Sequence, residues 1–184
     1  MTGSAAPPVV IVLASGRGER FIASGGTGSK LQALLQGKPV LEHTLDAVRA
    51  SGLPWHLEDA GHAGMGDSIA AGVRATRDAA GWLVLPGDLP LIQPATLQAV
   101  ARALEQHEAV APVCAGQRGH PVGFSAACGA ELSVLEGNQG AVHVLRAHRA
   151  IELIVDDIGC VTDIDTVDHL AAAEGVLRER ALRA

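Results

Sequence analysis

A glycine-rich run carrying several cations opens the chain. It reads Leu13-Ala14-Ser15-Gly16-Arg17-Gly18-Glu19-Arg20 and is completed by Lys30. Glycines let the backbone come close to an anion and aim N–H groups at its oxygens. Arg17, Arg20 and Lys30 add positive charge to the same loop, which suits a triphosphate. The run is neither a dinucleotide fingerprint nor a P-loop. Gly16 and Gly18 lack the third glycine, and Gly28-Ser29-Lys30-Leu31 lacks the GK[ST] spacing. A second constellation is Leu85-Pro86-Gly87-Asp88-Leu89-Pro90. A carboxylate just past the carboxyl end of a buried strand lies where open α/β sheets bind ligands. Mg²⁺ favours one or two carboxylates together with phosphate oxygens and water, so Asp88 suits a metal beside a triphosphate.

Three further stretches carry polar chemistry. Gly116-Gln117-Arg118-Gly119-His120-Pro121 places a guanidinium and an imidazole in one turn, able to grip an acceptor's phosphate or polar ring. Asp163-Ile164-Asp165-Thr166 puts two carboxylates on the same side of an extended segment. These either assist a metal or, through Asp165 or Thr166, cap the next helix. Gly64-Met65-Gly66-Asp67-Ser68 is a turn before a helix, with Asp67 or Ser68 as its cap, and it either meets a nucleotide or only turns the chain.

The elements around these residues alternate. Val9 to Leu13 and Trp82 to Leu85 are continuously apolar and read as strands buried on both faces. A Gly-rich loop is expected from Ser15 to Ser29. Pro39 at a first helical position opens a helix with Val40, Leu41, Leu45 and Val48 inward, closed by Gly52. Pro94 opens another. Shorter strands are expected at Trp55 to Glu58, Ala109 to Val113, Pro121 to Ser125 and Ile151 to Val155. Helices are expected from Asn138 to His148, with Val142 and Leu145 inward, and after Thr166. Strands alternating with helices at short spacing predict an α/β sandwich around a mostly parallel sheet. Residues 1–8 read as a flexible tail and residues 9–184 as one domain.

Composition removes other classes. Net charge is −6 without a basic stripe, and with two Phe, two Trp and no Tyr there are few stacking platforms, so no nucleic-acid partner is expected. The three cysteines form no CxxC pair and read as free buried thiols. No apolar run is long enough for a membrane span or signal segment, and a cytoplasmic location is expected.

In order, these segments resemble the molybdenum cofactor nucleotidyltransferases, most closely the cytidylyltransferase branch. That family carries LAAGxSxRMG…K, GMGxS, GDMP, GxRGHP and DIDTxxD. Here the corresponding stretches are Leu13-Ala14-Ser15-Gly16 with Arg20 and Lys30, the Gly64 turn, Gly87-Asp88-Leu89-Pro90, Arg118-Gly119-His120-Pro121, and Asp163-Ile164-Asp165-Thr166-Val167-Asp168. The resemblance implies a three-layer, Rossmann-type, glycosyltransferase-A-like fold. It also implies CTP as substrate, Mg²⁺ (or Mn²⁺) as cofactor, and molybdopterin or its metal-loaded form as acceptor. It assigns Leu13, Ala14, Ser15, Gly16, Arg17, Gly18, Gly66 and Ser68 to the nucleotide. Arg20, Lys30 and Asp88 become the catalytic set, with Asp88 on the metal, and Arg118, Gly119, His120 and Pro121 face the acceptor. A molybdoenzyme or its chaperone would receive the product.

The chain departs from the family in three places. Arg20 and Lys30 are further apart than usual. Only Leu53 to Ala63 replaces a strand and helix that help read the base. Ser15 stands where the cytidylyl branch has Ala and the guanylyl branch Gly. GTP or another NTP, a different phosphorylated acceptor, and a non-catalytic nucleotide-binding or cofactor-delivery role remain the alternatives.

Overall fold

The computed structural model describes residues 6–16 and 18–183. The elements run β1 (Val9–Leu13), α1 (Glu19–Ala23), β2 (Leu34–Leu35), β3 (Lys38–Pro39), α2 (Val40–Ser51), β4 (Trp55–Glu58), α3 (Met65–Ala75), β5 (Gly81–Pro86) and α4 (Pro94–Ala103). They continue with β6 (Ala109–Cys114), β7 (Gln117–Arg118), β8 (Val122–Ser125), α5 (Gly129–Leu132), α6 (Val142–Ala147), β9 (Ile151–Ile154) and α7 (Val167–Arg183).

One sheet organises the chain in the order β4-β1-β5-β8-β6-β7, with β9 also on β6. β4, β1 and β5 are parallel neighbours. β8 runs antiparallel between β5 and β6, so β6 regains the direction of β5, and β9 lies parallel to it. The sheet is thus mostly parallel, as expected.

Strand alternation sorts the core into two faces. Val10 and Val12 of β1, with Leu83 and Leu85 of β5, pack against Leu41, Leu45 and Val48 of α2 and Leu97 and Val100 of α4. Ile11 and Val84 face the other way, onto Ile69 and Val73 of α3, Leu132 of α5 and Val144 of α6. The result is a three-layer α/β/α sandwich. A third cluster, Phe21, Leu35, Val40, Leu91, Ile164 and Ala173, ties α1 and α7 to the segment between them and the sheet.

Several local expectations are corrected. The Gly-rich stretch contains α1, because Phe21 has a core to enter, at 3% exposure. Pro39 is the residue before α2, with an extended ψ of 143°, and not its first helical residue. Gly52 does close α2 in the left-handed conformation, and Pro94 does open α4. α3 begins at Met65, so Asp67 and Ser68 lie in its first turn and neither caps it. α6 covers only Val142–Ala147, and Val142 is 51% exposed while Val144 and Leu145 enter the core.

The cysteines are free and buried, and burial pushes the Cys128 and Cys160 thiols up to about 11. No helix among the described residues is long and apolar enough to cross a membrane.

Candidate active site

The parallel register sets Leu13 at the end of β1 beside Pro86 at the end of β5. The Gly87 N–H then donates to the Leu13 carbonyl at 2.9 Å. A Cβ at Gly87 would stand 2.8 Å from Leu41 Cδ1 and 3.0 Å from the Leu13 oxygen, so glycine permits this closure. Residues following Leu13 and the carboxylate following Gly87 are thereby forced onto one edge of the sheet, as in other open α/β sheets. The cleft there has a volume of about 400 Å³. Leu13, Ser15, Gly16, Lys30, Ser68 and Asp88 line it, together with His62 and the start of α3.

The acids converge from two segments. Asp88 is 8% exposed. The Ile164 N–H donates to the Asp88 carbonyl at 3.0 Å, clamping the second segment to the first. Ile164 is fully buried, so its two flanking aspartates turn the opposite way. Asp88, Asp163 and Asp165 each offer an oxygen, all within 4.8 Å of one another. Capping and site roles divide between neighbours. Thr166 Oγ1 accepts the His169 N–H at 3.2 Å at the start of α7, while Asp165 turns to Lys30 and the other two acids.

Lys30 sits among these acids. Its Nζ lies 2.6 Å from Asp88 Oδ2 and 2.8 Å from Asp165 Oδ1. Burial opposes the Lys30 charge, but the Asp88 and Asp165 carboxylates outweigh it and hold its pKa above the ordinary lysine value. Burial likewise pushes Asp165 up, and Lys30 and Arg20 overcome it, leaving that carboxyl below its usual range. The guanidinium of Arg20 reaches Asp165 Oδ2 from an exposed position on α1. Gly18, with φ of 63°, lets the backbone turn against the Lys30 stem, 3.4 Å from where a Cβ would be. The extra residues between Arg20 and Lys30 thus do not separate them in space.

Two buried side-chain atoms lack a hydrogen-bond partner among the described residues, Asp88 Oδ1 and His120 Nδ1. Burial pushes the His120 imidazole below its usual pKa, against the pull of Asp88, the Val84 carbonyl and Asp163. The turn carrying His120 is fixed by backbone. The His120 N–H donates to the Cys160 carbonyl at 2.8 Å and Gly119 N–H to Pro112 at 2.8 Å. A Cβ at Gly119 would fall 2.3 Å from the Cys160 oxygen. Pro121 is buried behind it. An unpartnered buried carboxylate oxygen beside two further carboxylates fits a hard divalent cation.

Not every residue singled out in the sequence joins this cluster. Arg118 is exposed on β7 and pairs with Glu152 at 2.8 Å. The Gly66 N–H is taken by the Gly137 carbonyl at 2.8 Å, and Asp67 accepts the Gly137 N–H at 3.1 Å. The Gly64 turn therefore docks on the loop around Gly137, leaving Ala63, Gly64, Met65 and Ser68 on the cleft. Ser68 Oγ donates to the Gly64 carbonyl at 3.2 Å. Arg17 lies outside the described residues.

Sequence reasoning missed Glu58 and His62. The Glu58 carbonyl accepts the Ala14 N–H at 2.9 Å, and its buried carboxylate meets His62 Nε2 at 2.9 Å and His56 Nε2 at 3.3 Å. Burial pushes the Glu58 carboxyl up, but these imidazoles and the Ala60 N–H outweigh it and depress its pKa. A carboxylate ending a predicted strand, followed four residues later by a histidine, is the only sequence trace of this pair.

A doubly wound sandwich with a glycine loop after its first strand and an acid cluster at the adjoining strand's end is the architecture of a nucleotidyltransferase. The chain belongs to the family of MobA-like NTP transferase domains, whose model matches residues 46–151. Asp88 and the His120 turn fall within that match, and the Leu13 loop, Lys30 and Asp165 outside it. The Bifunctional protein GlmU of Desulfitobacterium hafniense is 29% identical over 122 residues, covering 55% of this chain and 26% of that protein. The chain thus spans about a quarter of that relative's length. Rv0371c from Mycobacterium tuberculosis superposes with a TM-score of 0.76 at 25% identity, over 92% of this chain and 97% of its own. A second structure of that protein, in complex with manganese, gives 0.69 at 24% identity over 92% and 98%. Molybdopterin-guanine dinucleotide biosynthesis protein A from Archaeoglobus fulgidus gives 0.69 at 19% identity, over 93% of this chain and 99% of that one.

Proposed function

We propose that this chain transfers CMP from CTP to molybdopterin or its molybdenum-loaded form, releasing pyrophosphate and forming the cytosine dinucleotide cofactor. The observation that carries the reading is the convergence of Ser15, Gly16, Lys30 and Asp88 on one cleft, with Asp163 and Asp165 grouped beside Asp88. Loop, cation and acid cluster are the parts phosphoryl transfer needs, because its transition state is stabilised by positioning and charge.

In this mechanism the acceptor's terminal phosphate attacks the α-phosphorus in line. It is already ionised at neutral pH, so no general base is required. The backbone after Leu13 cradles the β- and γ-phosphates. Lys30 and Arg20 neutralise charge that builds on the α-phosphate. Asp88, with Asp163 and Asp165, would hold a divalent cation, Mg²⁺ or the manganese seen with Rv0371c. That ion, when bound, neutralises phosphate oxygens and favours departure of pyrophosphate. His120, whose buried Nδ1 has no partner among the described residues, would receive the acceptor side. Arg118 would reach the acceptor only by leaving Glu152.

The test is pyrophosphate release with Mg²⁺, molybdopterin and each NTP in turn. CTP is expected to give the highest kcat/KM. A preference for GTP would replace the cytidylyl reading by the guanylyl one. Release with a sugar 1-phosphate and none with molybdopterin would overturn the acceptor.

A further inference from the structure

Three carboxylates and two cations meet at the head of the cleft, Asp88, Asp163 and Asp165 against Lys30 and Arg20. The proposed catalysis asks of Lys30 a contact that the position seen does not supply. Its ammonium must reach phosphate oxygens, yet here it spans Asp88 and Asp165 at 2.6 and 2.8 Å, where the cluster's cation belongs. Those contacts occupy one oxygen of each acid. Among the described residues Asp88 Oδ1 stays buried without a partner, so the lysine satisfies the cluster only in part. An ammonium is a single charge with three donors, whereas a divalent ion takes oxygens from all three acids at once.

We propose that Lys30 is a stand-in cation: in the nucleotide-free protein its ammonium occupies the divalent-ion position between Asp88 and Asp165, and it yields that position by exchange when metal and triphosphate arrive together. The inference rests on the reading that the cleft takes a metal–NTP, and extends it to the order and coupling of binding. Charge balance dictates the coupling. A bare divalent ion must either push aside a paired ammonium or sit beside it, and both are costly at such short range. The triphosphate removes the obstacle, because its oxygens offer Lys30 new partners a short swing away along its flexible stem. Arg20, exposed on α1 and also on Asp165, is free to follow the same path. Metal binding without nucleotide is therefore weak, and the two ligands favour each other. The empty cleft meanwhile avoids three adjacent uncompensated carboxylates.

The experiment reads metal binding directly, without turnover. Mn²⁺ is titrated into nucleotide-free protein at pH 7.5 and the free ion is followed by electron paramagnetic resonance. Lys30→Met is expected to bind Mn²⁺ about tenfold tighter or more than the natural chain, since a competing charge is gone. Lys30→Arg keeps the charge and is expected to retain weak binding. Equal or weaker Mn²⁺ binding by Lys30→Met, with its circular dichroism unchanged, overturns the proposal.

A measurement on the natural chain stands if that variant misfolds. The sequence has only two lysines, Lys30 and Lys38, so acylation of Lys38 is an internal reference. Lys30 is expected to be slow to acylate in the free protein, faster with saturating Mn²⁺, and slow again once CTP is added. No change in Lys30 acylation on adding Mn²⁺ refutes the exchange. Tighter Mn²⁺ binding by Lys30→Met, with no binding of CTP and Mn²⁺ by the natural chain, would uphold the exchange and sink the metal–NTP reading of the cleft, so the two failures are told apart.

Discussion

Asp88→Asn separates chemistry from folding at the head of the cleft. The substitution keeps size and shape and removes one charge. Two consequences compete. For stability, Asp88 is 8% exposed and its Oδ2 holds Lys30 at 2.6 Å, so the buried ammonium loses a partner. Stranding a buried charge outright costs ~3–5 kcal/mol. Lys30 keeps Asp165 at 2.8 Å, however, and the variant also loses a carboxylate oxygen that was buried without a partner. A loss of about 1.5–3 kcal/mol follows, typical of one charge-assisted hydrogen bond. That leaves a domain of ordinary stability folded at 25 °C. For activity, removing one charged contact from a site that stabilises developing phosphate charge costs ~100-fold or more, about 2.7 kcal/mol. Turnover should therefore collapse in a protein that unfolds only slightly earlier in urea. The assay pairs pyrophosphate release, with CTP, Mg²⁺ and molybdopterin, with a urea unfolding curve. Near-normal turnover would refute the role of Asp88. A loss of turnover fully accounted for by unfolded protein would refute the separation of effects.

Other perturbations follow from the same geometry. Gly64→Ala drives a Cβ to within 2.1 Å of the Gly137 carbonyl oxygen. Overpacking of this kind costs ~1–3 kcal/mol, so its urea midpoint should fall, and an unchanged midpoint would show that the two loops are not docked. His62→Ala should raise the KM for the nucleotide by up to about tenfold, the worth of one hydrogen bond, with kcat little altered; a fall in kcat alone would contradict a binding role. His148 donates to Glu108 and Glu131, each at 2.8 Å, and those bonds raise its pKa above 6.5. A raised folded pKa stabilises below the unfolded value and loses that contribution as pH rises through the folded one. His148→Gln should thus lower the urea midpoint at pH 5.5 and have less effect at pH 8.5; an equal shift at both would remove the ion pairs from the account.

The sheet was legible because its central strands declare themselves. Val9 to Leu13 and Trp82 to Leu85 are apolar on both faces, and only burial between helices explains that. Pro94 and Gly52 marked helix ends because each is confined to, or freed for, one backbone region. The Asp163–Asp165 pair was legible from alternation, since the apolar residue between them had to point inward. α1 was hidden because its five residues carry a helical stripe of one, Phe21, too little for periodicity to register. α6 was overextended for the opposite reason, as Asn138 to Ala141 are compatible with helix but are used to dock the Gly64 turn. The Arg118–Glu152 pair was not legible, because strand adjacency between β6, β7 and β9 decides it. The Glu58–His62 pair depends on β4 lying beside β1, which no local pattern states.

The two ends of the cleft are built unequally, and that bears on selectivity. At the phosphate end, the clamps Gly87 to Leu13 and Ile164 to Asp88, the Lys30 bridge and the third core cluster all fix the same few side chains. Positions determined several times over keep their geometry, so the carboxylates are presented in one fixed arrangement. At the other end, β4 is an edge strand and only Asp59 to Gly64 join it to α3. His62, held by the ionised Glu58, is the side chain with a polar ring nitrogen to offer on that short stretch. Discrimination among bases requires buried polar groups that a wrong base leaves unpaired. With few such groups, the proposed function would have the triphosphate and metal supply binding common to all nucleotides, and base preference would rest on His62, the adjoining backbone and Ser15. Replacing His62 should therefore narrow the ratio of kcat/KM between CTP and GTP while leaving tripolyphosphate inhibition unchanged. An unaltered ratio would move base selection wholly to the backbone.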